Sequence, residues 1–300
     1  MRLATYQNGH ATMGAVLADG SVLDLATFWD AAGTSATRAP QTISELLRDG
    51  QPALSAARSV IDAAEERLRA GATDLPVRTA DSLRFLPPWI PGRIYAIGLN
   101  YRSHAEEQGA KIPKAPVVFT KAASSLTGHG AAIVAPSETD ALDYEAELAV
   151  VIGRTCRNAS ADDAMSYIAG YTCLNDVTAR DIQRADRQWF RSKSYPTFCP
   201  LGRDLVTADE IAALEEVTVS CVVDGEQRQS APISDLIFGV PELIAFLSSF
   251  TTLEPGDVIA TGTPGGVGFV TDPPRFLHDG NVVTVAASGV TALTNAVSAV

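Results

Sequence analysis

The spacing of hydrophobic and polar positions changes several times along the chain, and each change marks an element. Residues 1–30 hold short β-prone segments broken at Asn8-Gly9 and Asp19-Gly20, two hairpin dipeptides, and predict a small antiparallel meander. Over residues 52–70 the period lengthens. Leu54, Ala57, Ile61, Ala64 and Leu68 recur at helical spacing, charges fill the other face, and Gly71 stops the run. Pro76, Pro87, Pro88 and Pro91 then make the chain irregular, so a boundary is placed there. Residues 1–75 read as a small α/β accessory domain and 76–300 as a larger unit.

In that larger unit, residues 93–99, 116–120, 169–174 and 258–260 read as short apolar strands. Residues 143–153 read as a longer buried strand ending at a glycine. The clearest hairpin runs from 217 to 230 around Asp224-Gly225. Pro241 suits the first turn of a helix running to about Ser249. Ser160 and Thr207, each with an acid three residues on, resemble capping boxes for short helices. Residues 281–286 read as a last strand, followed by a small, polar tail.

Composition narrows the function more than the fold. Apolar content of 46% with 19% charged residues is ordinary for a soluble globular protein. A net charge of -12 with no Lys/Arg cluster argues against nucleic acid. No apolar run approaches the roughly 20 residues of a membrane helix, and the first residues lack a signal core. Cys156, Cys173, Cys199 and Cys221 form no CxxC pair and read as free thiols of a reducing compartment. The expected setting is cytoplasmic.

Candidate chemistry clusters on the strand at 143–153. Side chains alternate along a strand, so Glu145 and Glu147 share a face. Two adjacent carboxylates repel, and a divalent cation resolves the conflict. The plain alternative is a wet strand edge with two charges on it. His104 and Glu107 are three apart, on one face of a helical turn, where a carboxylate orients an imidazole as a general base needs. The plain alternative there is a solvated helix with one histidine. Residues 108–113 are polar and breaker-rich and read as mobile. His129, between glycines, is either a ligand or an exposed loop residue. Asp176 sits at a strand end, where it is either catalytic or a helix cap. Lys193 reads as a partner for the acidic cluster. The glycine-rich turn at 261–268 lets backbone approach a ligand closely, but it matches neither a P-loop nor a Rossmann fingerprint.

In this order the motifs resemble the fumarylacetoacetate hydrolase family. The matching blocks are Gly98-Leu-Asn-Tyr-x-x-His104-x-x-Glu107, Phe119-x-Lys121, Asp143-Tyr-Glu145-x-Glu147-Leu, Asn175-Asp176-x-Thr-Ala-Arg180-Asp-x-Gln183, Lys193-Ser, Cys199-Pro-Leu-Gly and Thr261-Gly-Thr263-Pro-x-Gly-Val-Gly268. The resemblance covers about residues 90–288. It implies an α+β fold: a mixed β-roll catalytic domain, usually a homodimer, behind a small α/β N-terminal domain. It implies Glu145, Glu147 and Asp176 as ligands of one divalent metal, Mg²⁺ first, with Mn²⁺ or Ca²⁺ as alternatives. It assigns acid/base work to His104 and Glu107, a lysine facing the substrate oxygens to Lys193, and the substrate's oxoacid end to Lys121, Arg180, Gln183 and Thr263. Two departures, Ala122 after Lys121 and Asn100 after Leu99, put substrate identity in doubt if they line the pocket.

The implied reaction is hydrolysis of a carbon–carbon bond in an acylpyruvate, a small 1,3-diketo acid, releasing a 2-oxoacid. An oxaloacetate-type decarboxylase and an isomerase of an unsaturated 2-oxodiacid use the same enolate and are the alternatives.

Overall fold

The computed structural model describes residues 1–31 and 38–299. Its frame is a mixed sheet of eleven strands. The order along it is Val77–Arg78, Val22–Asp24, His10–Val16, Arg2–Asn8, Asp204–Thr207, Ile168–Asn175, Ala146–Ile152, Val258–Ala260, Ile94–Gly98 and Val117–Thr120, with Phe85–Leu86 pairing beside Arg2–Asn8. A second sheet of five strands, Glu226–Pro232, Thr218–Val223, Val282–Ala287, Leu293–Ala299 and Ile133–Ala135, packs against the first.

Ala146–Ile152 is buried along its whole length because it is covered on both faces. Leu148, Val150 and Ile152 join a core with Val219, Cys221 and Val285 of the second sheet. Ala149 and Val151 join another core with Leu3, Met13, Leu46 and Leu47 of the N-terminal region. Glu145 and Glu147 fall on the Ala149 and Val151 side by alternation. The carboxylates thus begin where that apolar face ends.

The N-terminal strands extend the main sheet, since Arg2, Leu3 and Ala4 pair with Val206, Leu205 and Asp204. Both hairpin dipeptides turn as expected, with Gly9 at φ 72° and Gly20 at φ 83°. Four local expectations are corrected. Residues 25–31 are a helix, Leu25–Ala31, and not part of the meander; Leu25, Phe28 and Trp29 bury one helical face. The predicted helix at 52–70 starts earlier, as Ile43–Arg69, with Thr42 Oγ1 accepting from Glu45 N at 3.1 Å. Gly50, at φ 71°, kinks it, and the Gly50 and Pro52 breakers hide the first half from a periodicity reading. The tail forms the strand Leu293–Ala299, whose inward residues Leu293, Asn295 and Val297 alternate with small outward ones. Thr207 ends a strand and caps nothing; the turn Ala208–Glu210 has no side-chain cap.

Candidate active site

Ala146–Ile152 and Ile168–Asn175 run antiparallel, with Ala146 opposite Asn175. That register brings Asp176, one residue past its strand, beside Glu145, and the Asp176 N–H donates to the Glu145 carbonyl at 2.9 Å. One carboxylate oxygen each from Glu145, Glu147 and Asp176 lies within 4.8 Å of the others, and all three residues are buried.

Three cations surround them. Lys193 Nζ lies 2.7 Å from Glu145 Oε2 and 2.6 Å from Asp176 Oδ2. Lys121 Nζ lies 2.5 Å from Asp176 Oδ1 and also donates to the Lys193 carbonyl. Arg180 pairs through Nη2 with Glu145 Oε1 at 2.6 Å and through Nε with Asp143 Oδ2 at 2.8 Å. Burial works to raise the Glu145 pKa, but Lys193 and Arg180 outweigh it and hold it below the ordinary carboxylate value. Burial works to lower the Lys193 pKa, but Asp176 and Glu145 keep it above the ordinary lysine value.

Glu147 is different. Its Oε2 accepts from Gly262 N at 2.8 Å, and no ion pair reaches it among the described residues. Burial first, then the charges of Asp176 and Glu145, push its pKa well above the usual 4.5. Four buried carboxyl groups, Asp143 included, therefore face three cations, and Glu147 is the one without a counter-charge. An all-oxygen set short of positive charge fits a hard divalent cation such as Mg²⁺.

This arrangement predicts a pH-dependent response to metal. A carboxyl whose folded pKa is raised stabilises the fold when neutral, and loses that contribution as pH rises through the folded value. Cation binding needs the ionised form and releases the proton. Mg²⁺ at about 100 times its Kd should stabilise the protein by about 2.7 kcal/mol. The gain in Tm should be larger near pH 8 than near pH 5 and vanish with EDTA. Thermal melts check this, and no Mg²⁺ response at either pH would remove the cluster as a metal site.

The helix Arg102–Glu107 carries the second group. His104 Nδ1 lies 2.6 Å from Glu107 Oε1, and Glu107 Oε2 accepts from Gly266 N at 2.6 Å. Ser103 Oγ donates to Asp235 Oδ2 at 2.7 Å and accepts from Gly265 N at 3.3 Å. The helix is thus tied to the glycine-rich turn, whose Gly262, at φ 106°, leaves only 2.8 Å between an added Cβ and Asn100 Cβ.

A cavity of about 240 Å³ joins the two groups, with His104, Glu145, Arg180, Gln183, Lys193 and Thr263 in its wall. Asp176 and Lys121 reach that wall through Lys193, Glu147 through Glu145 in the carboxylate cluster, and Glu107 through His104. Gln183 Oε1 accepts from Arg180 Nη1 at 3.0 Å, and the Arg180 guanidinium stacks 4.4 Å from the Phe269 ring. All ten residues named from the sequence converge on this one place. His129 does not: its Nδ1 accepts from Thr294 N at 3.2 Å, beside a separate cavity.

Asn100 and Ala122 do not line the cavity. Asn100 is fully buried; its Nδ2 donates to the carbonyls of Phe238 and Thr261, and its Oδ1 accepts from Phe238 N. Ala122 N donates to Ser194 Oγ. The two departures therefore act on backbone packing.

Two supporting residues were not foreseen. Asp143 holds Arg180 and accepts from Gly268 N at 2.8 Å and Phe269 N at 3.1 Å. In the sequence it alternates with Glu145 and Glu147, which is the signal that would have found it, although it ends a separate strand, Leu142–Asp143. Gln229 accepts from Ala146 N at 3.0 Å and donates to Thr263 Oγ1 at 2.8 Å and to the Pro264 carbonyl at 2.7 Å. Nothing in the local sequence marks it.

The family model for the fumarylacetoacetate hydrolase C-terminal domain matches residues 93–298. The chain belongs to the fumarylacetoacetate hydrolase family. Among curated relatives, the mitochondrial oxaloacetate tautomerase Fahd2a of Rattus norvegicus is 40% identical over 289 residues, covering 94% of this chain and 87% of the relative. The oxaloacetate tautomerase YisK of Bacillus subtilis is 48% identical over 205 residues, covering 67% of this chain and 68% of YisK. Among solved structures, a fumarylacetoacetate hydrolase from Exiguobacterium antarcticum aligns with a TM-score of 0.84 at 34% identity, covering 100% of both chains. The α+β fold expected from the motifs is the fold of the family. The family is one of divalent-metal enzymes acting on small molecules.

Proposed function

We propose that the protein is a divalent-metal-dependent tautomerase that interconverts the enol and keto forms of a small dicarboxylic 2-oxoacid of the oxaloacetate type. The observation that carries this reading is the placement of His104 and Lys193 in the wall of one small cavity, against the carboxylate cluster. A proton acceptor and a charge-stabilising wall face the same space, as enolate chemistry needs. The oxaloacetate tautomerases that match 94% and 67% of the chain support the same reaction.

Arg180, fixed by Asp143 and Glu145, faces the space for the substrate's carboxylate, together with Gln183. Thr263 Oγ1, donating to the Ala146 carbonyl at 2.9 Å, shapes the floor. When bound by Glu145, Glu147 and Asp176, a divalent cation supplies Lewis-acid polarisation of the 2-keto oxygen. Lys193 adds positive charge on the same side. His104 takes the proton from C3, or returns it there, and Glu107 at Nδ1 balances the imidazolium charge. With a cation in place and Glu147 ionised, four carboxylates would face three side-chain cations and a dication, a one-charge surplus that suits a dianionic substrate.

Carbon–carbon hydrolysis of an acylpyruvate is the second reading, because the His104–Glu107 pair is equally a water-activating pair. Decarboxylation and double-bond isomerisation share the enolate. The reading also takes the protein as a cytoplasmic homodimer, in keeping with four buried free thiols. No helix among the described residues is long and apolar enough to cross a membrane.

The deciding experiment follows enol-oxaloacetate by its ultraviolet absorbance, with pyruvate release from oxaloacetate, acetylpyruvate and fumarylpyruvate measured alongside, in Mg²⁺ and in EDTA. Metal-dependent loss of enol without pyruvate is the expected result. Pyruvate from the acylpyruvates with no effect on the enol would replace this reading with the hydrolase.

A further inference from the structure

Both ring nitrogens of His104 are held from within the protein. Nδ1 faces Glu107 at 2.6 Å, and Nε2 faces Gln108 Nε2 at 2.8 Å. The same Gln108 nitrogen lies 3.3 Å from the His104 carbonyl oxygen. A carbonyl oxygen only accepts, so Gln108 presents the NH₂ end of its amide. That NH₂ faces Nε2 as a donor, so this hydrogen-bond pattern assigns the ring proton to Nδ1, on the Glu107 side. Nε2 is then the lone-pair nitrogen, and Gln108 donates into it. That is the atom that takes the proton in the chemistry proposed above. Gln108 is exposed, lines the same cavity, and ends the helix Arg102–Glu107 just before Gly109 at φ 59°. Its side chain can leave without dismantling any buried packing.

We propose that Gln108 is a gate on His104 Nε2, which keeps water off the base and so sets the site's preference for proton transfer at carbon over hydrolysis. The preference rests on the tautomerase reading; the gate itself rests on the geometry. A water at Nε2 has to compete with an amide donor only four residues along the chain, present at high effective concentration. A bound substrate is held by Arg180 and the carboxylate wall, and this binding lets C3 displace the amide. In hydrolysis, Nε2 takes a proton from water and the water oxygen bonds to the distal carbonyl carbon. The electron pair of the breaking carbon–carbon bond passes to the 2-oxoacid enolate. With Nε2 covered, that first proton has no acceptor.

The test uses the full-length Mg²⁺-loaded protein and two variants. Gln108→Ala removes donor and bulk; Gln108→Met keeps the bulk and removes the donor. The first readout is carbethoxylation of His104 by diethyl pyrocarbonate, followed by peptide mass spectrometry, with His10, His129 and His278 as internal references. Loss of one hydrogen bond should speed His104 modification roughly five- to tenfold in both variants. The second readout is the ratio of acetylpyruvate hydrolysis to enol-oxaloacetate tautomerisation, which should rise by a similar factor. An unchanged modification rate in both variants overturns the gate. Acceleration in the alanine variant alone also overturns it, because bulk and not the hydrogen bond would then cover the ring. Faster modification with an unchanged activity ratio overturns the specificity role. If the native protein turns over neither substrate, the reaction reading fails, and the modification rates still decide the gate.

Discussion

Replacing His104 with alanine is expected to lower turnover of the 2-oxoacid by about 10²- to 10⁴-fold, the usual contribution of a positioned general acid–base. The expectation rests on position. His104 is the one histidine in the cavity wall, it is 5% exposed, and its Nδ1 is fixed by a carboxylate at 2.6 Å. Alanine keeps the helix and leaves Glu145, Glu147 and Asp176 untouched. The rise in Tm with Mg²⁺ should therefore match that of the native protein. Steady-state kinetics beside thermal melts separate the two effects. Turnover within about threefold of native, far short of the expected loss, would mean that the proton moves by another route.

Lys193→Met should reduce both stability and activity. Lys193 is 2% exposed and is shared by Glu145 and Asp176 at 2.7 and 2.6 Å. Taking one partner from a buried charge cluster typically costs about 3–5 kcal/mol, because the carboxylates stay buried without their counter-charge. For a chain of this size that is a fall in Tm on the order of 10 °C. The fall should be greatest in EDTA and smaller in Mg²⁺, since a cation between the same carboxylates restores part of the lost charge. Catalysis should stay impaired even when Mg²⁺ restores the fold, because the charge facing the developing enolate is gone. A Tm equal to native in EDTA would show that the carboxylates are not held ionised by this lysine.

The two halves of the site were legible for different reasons. Glu145 and Glu147 follow from strand alternation, and His104 and Glu107 from helical spacing. Both are short-range rules that need no knowledge of the rest of the fold. Asp176 and Lys193 were noticed from the residues but given roles, with Lys121, only by the family resemblance, because what unites the three is the meeting of segments far apart in the chain. Asn100 and Gln229 illustrate what stayed hidden. Asn100 ties Phe238 to Thr261, and Gln229 ties Ala146 to Thr263 and Pro264. Their partners are distant in sequence, so no local pattern marks either residue. The fold shows the same limit. Gly50 and Pro52 interrupt a helical period that resumes beyond them. The last strand looks like a tail because its outward face, Thr294, Ala296 and Ser298, is small and polar.

The double covering of Ala146–Ile152 separates the two halves of the chemistry in time. A strand enclosed on both faces exposes its amides to solvent only when the whole molecule opens, so its hydrogens should exchange at the slowest, global rate. The six-residue helix that carries His104 rests on a few hydrogen bonds to Asp235, Gly265 and Gly266, and its amides should exchange through small local openings. The protein can therefore release its base for an instant while its carboxylate floor stays closed, and it can do so without approaching the unfolded state.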